Sequence, residues 1–203
     1  MSLLSIDNIE KTLADPSGKL FTPGSTARHA AVAAIIRPGA GHTEVLFILR
    51  SKKDGDPWSG QMAFPGGHYE TEDSCLRETA ERETMEEIGL DLVRDGRYLG
   101  KLEDVNATPR GTNRNMVVSP FVFLLENHEA QVNMNYEVAD VLWTSLDAMH
   151  AGTTVTTLDY EMQGNRQSFP GYSVGEQVVW GLTLRMLDHF FTRMDRQWQP
   201  TYE

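Results

Sequence analysis

Three glutamates, Glu83, Glu86 and Glu87, recur at i, i+3 and i+4 within Arg82-Glu83-Thr84-Met85-Glu86-Glu87-Ile88-Gly89. On a helix advancing about 100° per residue they share an arc of about 100°. Like charges so placed destabilise an isolated helix by about 0.2–0.5 kcal/mol per pair, so something should offset them. Arg82 stands four residues from both Glu78 and Glu86 and can relieve part of the repulsion. A divalent cation would relieve more, since Mg²⁺ is held by a few carboxylates together with waters and substrate phosphates. A solvated acidic face is the simpler reading of an arbitrary glutamate-rich helix. Here, however, a glycine loop, Gly66-Gly67-His68-Tyr69-Glu70, feeds directly into the helix and favours the metal reading.

The elements that must position these groups can be read from periodicity and turn residues. The acidic helix is expected over residues 74–88, with Asp73 or Ser74 as N-cap and Gly89 as terminator. Its other side, Leu76, Ala80, Thr84 and Ile88, can pack inward. Residues 29–37 and 44–50 are apolar β-rich runs separated by Pro38-Gly39-Ala40-Gly41, which reads as a hairpin. Residues 51–67 read as loop. Further strands are expected at 98–102, 117–125, 138–143 and 153–158, and a short leading helix at 5–15. A second long helix is expected over 175–194, where Val178, Leu182, Met186 and Phe190 recur at helical spacing. Strands with two separated helices imply an α/β chain with a sheet sandwiched between helices. No linker divides residues 1–203 into more than one domain. The lone Cys75 reads as a small apolar residue in the helix.

Glycine loop, cap and Arg-Glu-x-x-Glu-Glu-x-Gly together resemble the Nudix box, G-x5-E-x7-R-E-U-x-E-E-x-G-U with U a bulky aliphatic residue. Arg82, Glu83, Glu86, Glu87, Gly89 and Leu90 match in place. Thr84 occupies a U position. The glycine-to-arginine distance is one residue longer, with Asp73 near the place of the first glutamate. That form is similar to the coenzyme A diphosphatase branch. Upstream, LFILRSKKDGDPWSGQMAFPGG resembles the same branch's L-L-T-x-R-S/A-x3-R-x3-G-x3-F-P-G-G through Arg50, Ser51, Gly60 and Phe64-Pro65-Gly66-Gly67. Asp56 stands where the second arginine would be. A missing cation beside an anionic substrate weighs against coenzyme A itself. The similarity extends over about residues 28–190, including the segments at 137–143 and 180–183.

The resemblance implies a Nudix fold, an α/β/α sandwich with a mixed β-sheet between helices. It implies a Mg²⁺-dependent (or Mn²⁺-dependent) diphosphatase in which Glu83, Glu86, Glu87 and the Gly67 carbonyl hold metal and Arg82 positions the glutamates. Glu70 could reach the metal shell through water. The general base stays open among the box glutamates, Glu137, Glu161 and Glu176. Arg50, Lys52 and Lys53 are the candidate phosphate-side cations. Trp58 and Phe64 could stack on an adenine or line a wall, Phe64 by its place before the turn being the more suited to packing. Trp143 and Trp180 read as core residues. The expected partner is a small-molecule nucleoside diphosphate derivative: coenzyme A or acyl-CoA, alternatively ADP-ribose, a nucleotide sugar or a dinucleotide. A homodimer is compatible with the family.

Charge narrows the partners further. The formal charge is −11, and residues 70–91 alone carry nine acids against Arg77 and Arg82. No cluster of positive charge suits a nucleic-acid backbone or an anionic membrane surface. The longest apolar run, Ala30 to Ile36, falls far short of the roughly 20 residues of a membrane helix. No secretory leader is read at the start. With a single cysteine and no internal disulfide, a cytoplasmic location is expected. Gly171-Tyr172-Ser173-Val174-Gly175 matches the serine-hydrolase elbow, but too little chain follows to supply an acid and a histidine in order. The six histidines lack zinc-ligand spacing, and no P-loop or dinucleotide fingerprint occurs. The main rival to an enzyme is a non-catalytic Nudix ligand sensor, which would have little need for three crowded carboxylates.

Overall fold

The computed structural model describes residues 2–14, 27–55, 58–107, 116–162 and 165–199. In chain order the first elements are α1 (Ile6–Leu13), β1 (Arg28–Pro38), β2 (Thr43–Arg50), β3 (Met62–Ala63), β4 (Gly66–His68) and α2 (Leu76–Ile88). Then follow α3 (Leu92–Asp95), β5 (Gly96–Lys101), β6 (Val105–Asn106), β7 (Met116–Leu125), β8 (Val138–Ser145) and α4 (Leu146–His150). The chain closes with β9 (Val155–Met162), β10 (Asn165–Val174), β11 (Gln177–Trp180) and α5 (Gly181–Met194).

β1 is almost unbroken apolar sequence because both its faces are covered. Ala31, Ala33 and Ile35 face a cluster with Leu76, Ala80 and Ile88 of α2. Ala30, Ala34 and Ile36 face the opposite cluster with Leu184, Leu187 and Phe190 of α5 and Ile9 and Leu13 of α1. This two-residue alternation follows from the pleat of a strand. β1 runs parallel to β7 and antiparallel to β2 and β4. The main sheet is therefore mixed, in the order β3-β2-β1-β7-β5, with β8 on β2 and β6 on β7. The expected α/β/α arrangement is present. None of the described helices is long and apolar enough to cross a membrane.

Several expectations need correction. The 51–67 segment is not all loop: β3 pairs with β2, and β4, which begins at Gly66, pairs with β1. The second long helix begins at Gly181, not at 175. Residues 175–180 instead complete a hairpin in which Val174 pairs with Gln177 across a two-residue turn, and β9, β10 and β11 form a separate three-stranded sheet. Gly175 takes φ +58°, the left-handed conformation such tight turns favour. The helical spacing of Val178 with Leu182 spans a strand–helix junction by coincidence.

The acidic helix starts at Leu76, and its N-cap residue is exposed Cys75, which makes no side-chain capping bond. Neither Asp73 nor Ser74 is the cap. Glu78 serves that end instead, accepting from the Ser74 amide at 2.7 Å. Gly89 terminates the helix at φ +67°, its amide donating to the Met85 carbonyl. Trp143 and Trp180 are only partly buried. Arg37 lies 3.9 Å over the Trp143 ring, and Trp180 packs against Tyr160 and Phe169.

Candidate active site

β4 and α2 are joined by the loop that the glycines open, and this pairing builds the site. Gly66 lies at φ +152° directly against β1, where an added Cβ would stand 2.2 Å from the Ala31 carbonyl oxygen. The close approach lets the Gly66 amide donate to Glu87 Oε2 at 2.9 Å. A Cβ on Gly67 would come within 2.4 Å of the Glu83 carboxylate, so that side chain lies on the glycine backbone. Glycine is thus required twice, once for strand pairing and once for the carboxylate.

Glu87 is only 2% exposed. Burial raises its pKa to about 7, against the partial opposition of the Gly66 amide and Arg50. Arg50 Nη1 stands 3.8 Å from Glu87 Oε1. Glu83 is raised as well, first by burial and against the pull of Arg82. Glu86 points outward, more than half exposed, and pairs with Arg82 at 3.3 Å. Among the described residues, no three His, Cys, Asp or Glu side chains converge as a ready-made metal site. The donors that do meet, buried Glu87 and partly buried Glu83 beside a glycine backbone, are hard oxygens, and carboxylates at elevated pKa gain from a cation. That set suits Mg²⁺ or Mn²⁺ rather than a soft metal. Glu86 lies outside this pair, held by Arg82, and does not line the cleft.

Arg82 is the hub of this arrangement. It donates from Nε to Asp73 Oδ1 at 2.9 Å and from Nη2 to Asp73 Oδ2 at 3.1 Å. The same Nη2 reaches the His68 carbonyl at 3.0 Å, while Nη1 lies 3.2 Å from Glu83. Buried Asp73 also accepts from Thr79 Oγ1 at 2.8 Å and from the Glu70 amide at 3.1 Å. One carboxylate therefore ties the loop, the helix and Arg82 together.

The Arg82 hydrogen bond is the main reason the Asp73 pKa lies below its ordinary value. A depressed carboxylate contributes stability above its unfolded pKa of about 3.9 and loses it as pH falls through the folded value. Asp73→Asn is expected to lower stability by about 1–3 kcal/mol at neutral pH. The gap from wild type should close as pH falls below about 4. Loosening Arg82 should also lower turnover by about tenfold or more. Melting temperatures of both proteins from pH 3 to 8 check the first part; an equal gap at every pH would defeat it.

The carboxylates face a cleft of about 370 Å³. Arg50, Trp58, Phe64, Gly67, Glu83 and Glu87, each singled out in the sequence, line it. So do Glu70 and Glu137. Phe64 is buried and stacks on Phe47 at 5.1 Å, making it wall rather than platform. Lys52 and Lys53 do not line the cleft; both are exposed, and Lys53 Nζ lies 4.0 Å from Glu137 at its margin. Glu161 and Glu176 belong to the second sheet and its turn, are exposed, and do not line it either. Asp56 lies outside the described residues. Periodicity missed an apolar wall of Met62, Met116, Val118, Leu182 and Met186, which comes from three different elements. The one signal for it was the segment 180–183; Thr183 Oγ1 there donates to the Met62 carbonyl at 3.0 Å.

Ser173 is an exposed residue of β10, its amide bonded to the Thr154 carbonyl, and its turn leads into β11. The elbow motif thus lacks the strand-to-helix turn that would raise a nucleophile. Ser173→Ala is expected to leave turnover of a diphosphate substrate unchanged in a steady-state assay.

Comparison with known proteins bears on the same segments. Residues 27–162 match the NUDIX domain family. A protein of Schizosaccharomyces pombe is 34% identical over 143 residues, covering 62% of this chain. The match spans 44% of that relative, so the chain corresponds to less than half its length. The uncharacterized Nudix hydrolase NudL of Pectobacterium atrosepticum is 30% identical over 156 residues, 76% of this chain and 78% of that one. The crystal structure of a MutT protein from Methanosarcina mazei superposes with a TM-score of 0.52 at 22% identity. It covers 86% of this chain and 98% of the other, and shows a shared fold.

Proposed function

The chain belongs to the Nudix family, and from that premise we propose that it hydrolyses the diphosphate linkage of a nucleoside diphosphate derivative with the help of a divalent metal. The observation that carries this reading is the fixing of two carboxylates, one buried and one partly buried, on two glycines in one cleft: Glu87 on the Gly66 amide and Glu83 against Gly67. Glu83, Glu86, Glu87 and the Gly67 carbonyl are the residues that would hold Mg²⁺ or Mn²⁺. Bound there, such an ion would supply charge to neutralise the diphosphate and to acidify a water. The protein's own groups do the rest. Arg82, held by Asp73, fixes Glu83 and Glu86 in place. Arg50 supplies positive charge at the cleft wall for a phosphate. Glu137 lines the cleft while Glu161 and Glu176 do not, which supports it over them as general base and leaves the box glutamates as its alternatives.

Coenzyme A or an acyl-CoA is the first candidate substrate, on the Arg50-to-Gly67 resemblance. The apolar wall around Met62, Met116, Leu182 and Met186 suits an uncharged part of the substituent. ADP-ribose, nucleotide sugars and dinucleotides share the reacting group. Mass spectrometry of products after incubation with Mg²⁺ and this panel separates them. Cleavage of coenzyme A to 3′,5′-ADP and 4′-phosphopantetheine would show the second arginine to be dispensable. Preference for another diphosphate would tie the substitution at Asp56 to a change of substrate. No cleavage of any of them, with metal bound, would favour a ligand sensor.

A further inference from the structure

The cleft holds about 370 Å³, near the lower end of pockets that enclose a drug-sized ligand. A nucleoside diphosphate derivative is larger, so one of its ends must extend over the rim. Electrostatics selects the side. The acids lining the cleft, Glu70, Glu83, Glu87 and Glu137, repel an anion, while Arg50 among the lining and Lys53 at the margin attract one. Arg50 pairs in register with Val138 of β8, and Lys53 faces Glu137, so both cations stand where the chain enters β8.

That entry is a rigid turn. Asn133 and Asn135 donate their amides to the carbonyls of Ile88 and Glu87, fastening the segment to the end of α2 at 2.7 and 2.8 Å. Asn135 Oδ1 accepts from the Glu137 amide at 2.7 Å, and the Val138 amide donates to the Asn135 carbonyl at 3.3 Å. The Ser51 amide bonds the Glu137 carbonyl from the other side at 2.8 Å. Tyr136, the second residue of this turn, is 83% exposed, more than any other large hydrophobic residue described. A ring with only two rotatable side-chain bonds, on a backbone fixed from both sides, loses little entropy on stacking.

We propose that Tyr136 is a stacking platform for the nucleobase of the substrate, receiving the planar end that leaves the cleft past Arg50 and Lys53. This rests on the reading of the cleft as a nucleoside diphosphate site and adds where the base goes. Stacking is sequence-tolerant, because every base presents a π-face. The platform therefore selects for a nucleotide as a class, and the remaining substituent falls to the apolar wall on the other side.

The experiment combines steady-state kinetics on the preferred diphosphate with calorimetric binding of AMP, using wild type, Tyr136→Ala and Tyr136→Phe. Tyr136→Ala is expected to raise KM and the AMP Kd by about 5- to 100-fold, with the effect on KM rather than kcat, and Tyr136→Phe to restore both. At 83% exposure the ring contributes little to folding, and equal melting temperatures check that. Cleavage with KM and Kd untouched in Tyr136→Ala overturns the platform while leaving the hydrolase standing. Weakened AMP binding without cleavage of any substrate keeps the platform and removes the hydrolase. Absence of AMP binding in wild type, with no change in KM, overturns the proposal.

Discussion

Glu87→Gln should lower turnover by at least about a hundredfold and leave the melting temperature of the metal-free protein near that of wild type. The side chain is 2% exposed, and burial already brings its pKa to about 7, so the neutral form is within easy reach near neutrality. Glutamine has the shape of that neutral form and keeps an oxygen to accept from the Gly66 amide. What it lacks is the negative charge that a divalent metal and its water would require. Glu86→Gln should behave alike for a different reason: its carboxylate is exposed and, among the described residues, pairs only with Arg82, so the fold scarcely depends on it. Kinetics and thermal melts on both variants supply the check. Full turnover in both would overturn the assignment of these glutamates.

Gly66→Ala should be the most disruptive single substitution at the site. The new methyl would sit 2.2 Å from the Ala31 carbonyl oxygen and 2.6 Å from the Val32 Cα, both backbone atoms of the central strand. It would also hold a non-glycine residue at φ +152°. Strain and overpacking each cost about 1–3 kcal/mol, so a loss of about 2–5 kcal/mol in stability is expected. If β4 slides away from β1 to relieve the clash, the Gly66 amide leaves Glu87 and activity falls too. Denaturant unfolding measures the first effect. A variant as stable as wild type would mean that β4 does not pair with β1 as described.

How much of this was legible beforehand follows from the range of the interactions. Carboxylate spacing on α2, the Gly89 stop and the apolar runs of β1 and β2 are local properties, and they emerge where the sequence put them. Asp73 was legible only as a candidate helix cap and as a residue near the place of a motif glutamate. Its bond to Arg82, nine residues away, needs the loop to fold back on the helix. The start of α5 was misread because Val178, Leu182 and Met186 satisfy a helical period on either side of a strand–helix junction, and Gly175 turns the chain first. Lys52 and Lys53 carry the right charge for phosphate, but loop geometry leaves them outside the cleft.

The sequence by itself determined the chemistry: which carboxylates gather on one helix, which glycines precede them, and that the chain builds an α/β Nudix fold. Those features depend on residue type and near-neighbour spacing, which the backbone's two periods convert directly into faces. Tertiary structure alone decided which glutamates face the cleft, with Glu83 and Glu87 inward and Glu86 turned to Arg82. It also decided that an apolar wall from β3, β7 and α5 closes the cleft, and that Tyr136 stands exposed next to Glu137, which lines it. Each of these depends on segments far apart in the chain meeting in space, and the spacing of residues along one element carries no record of what will pack against it.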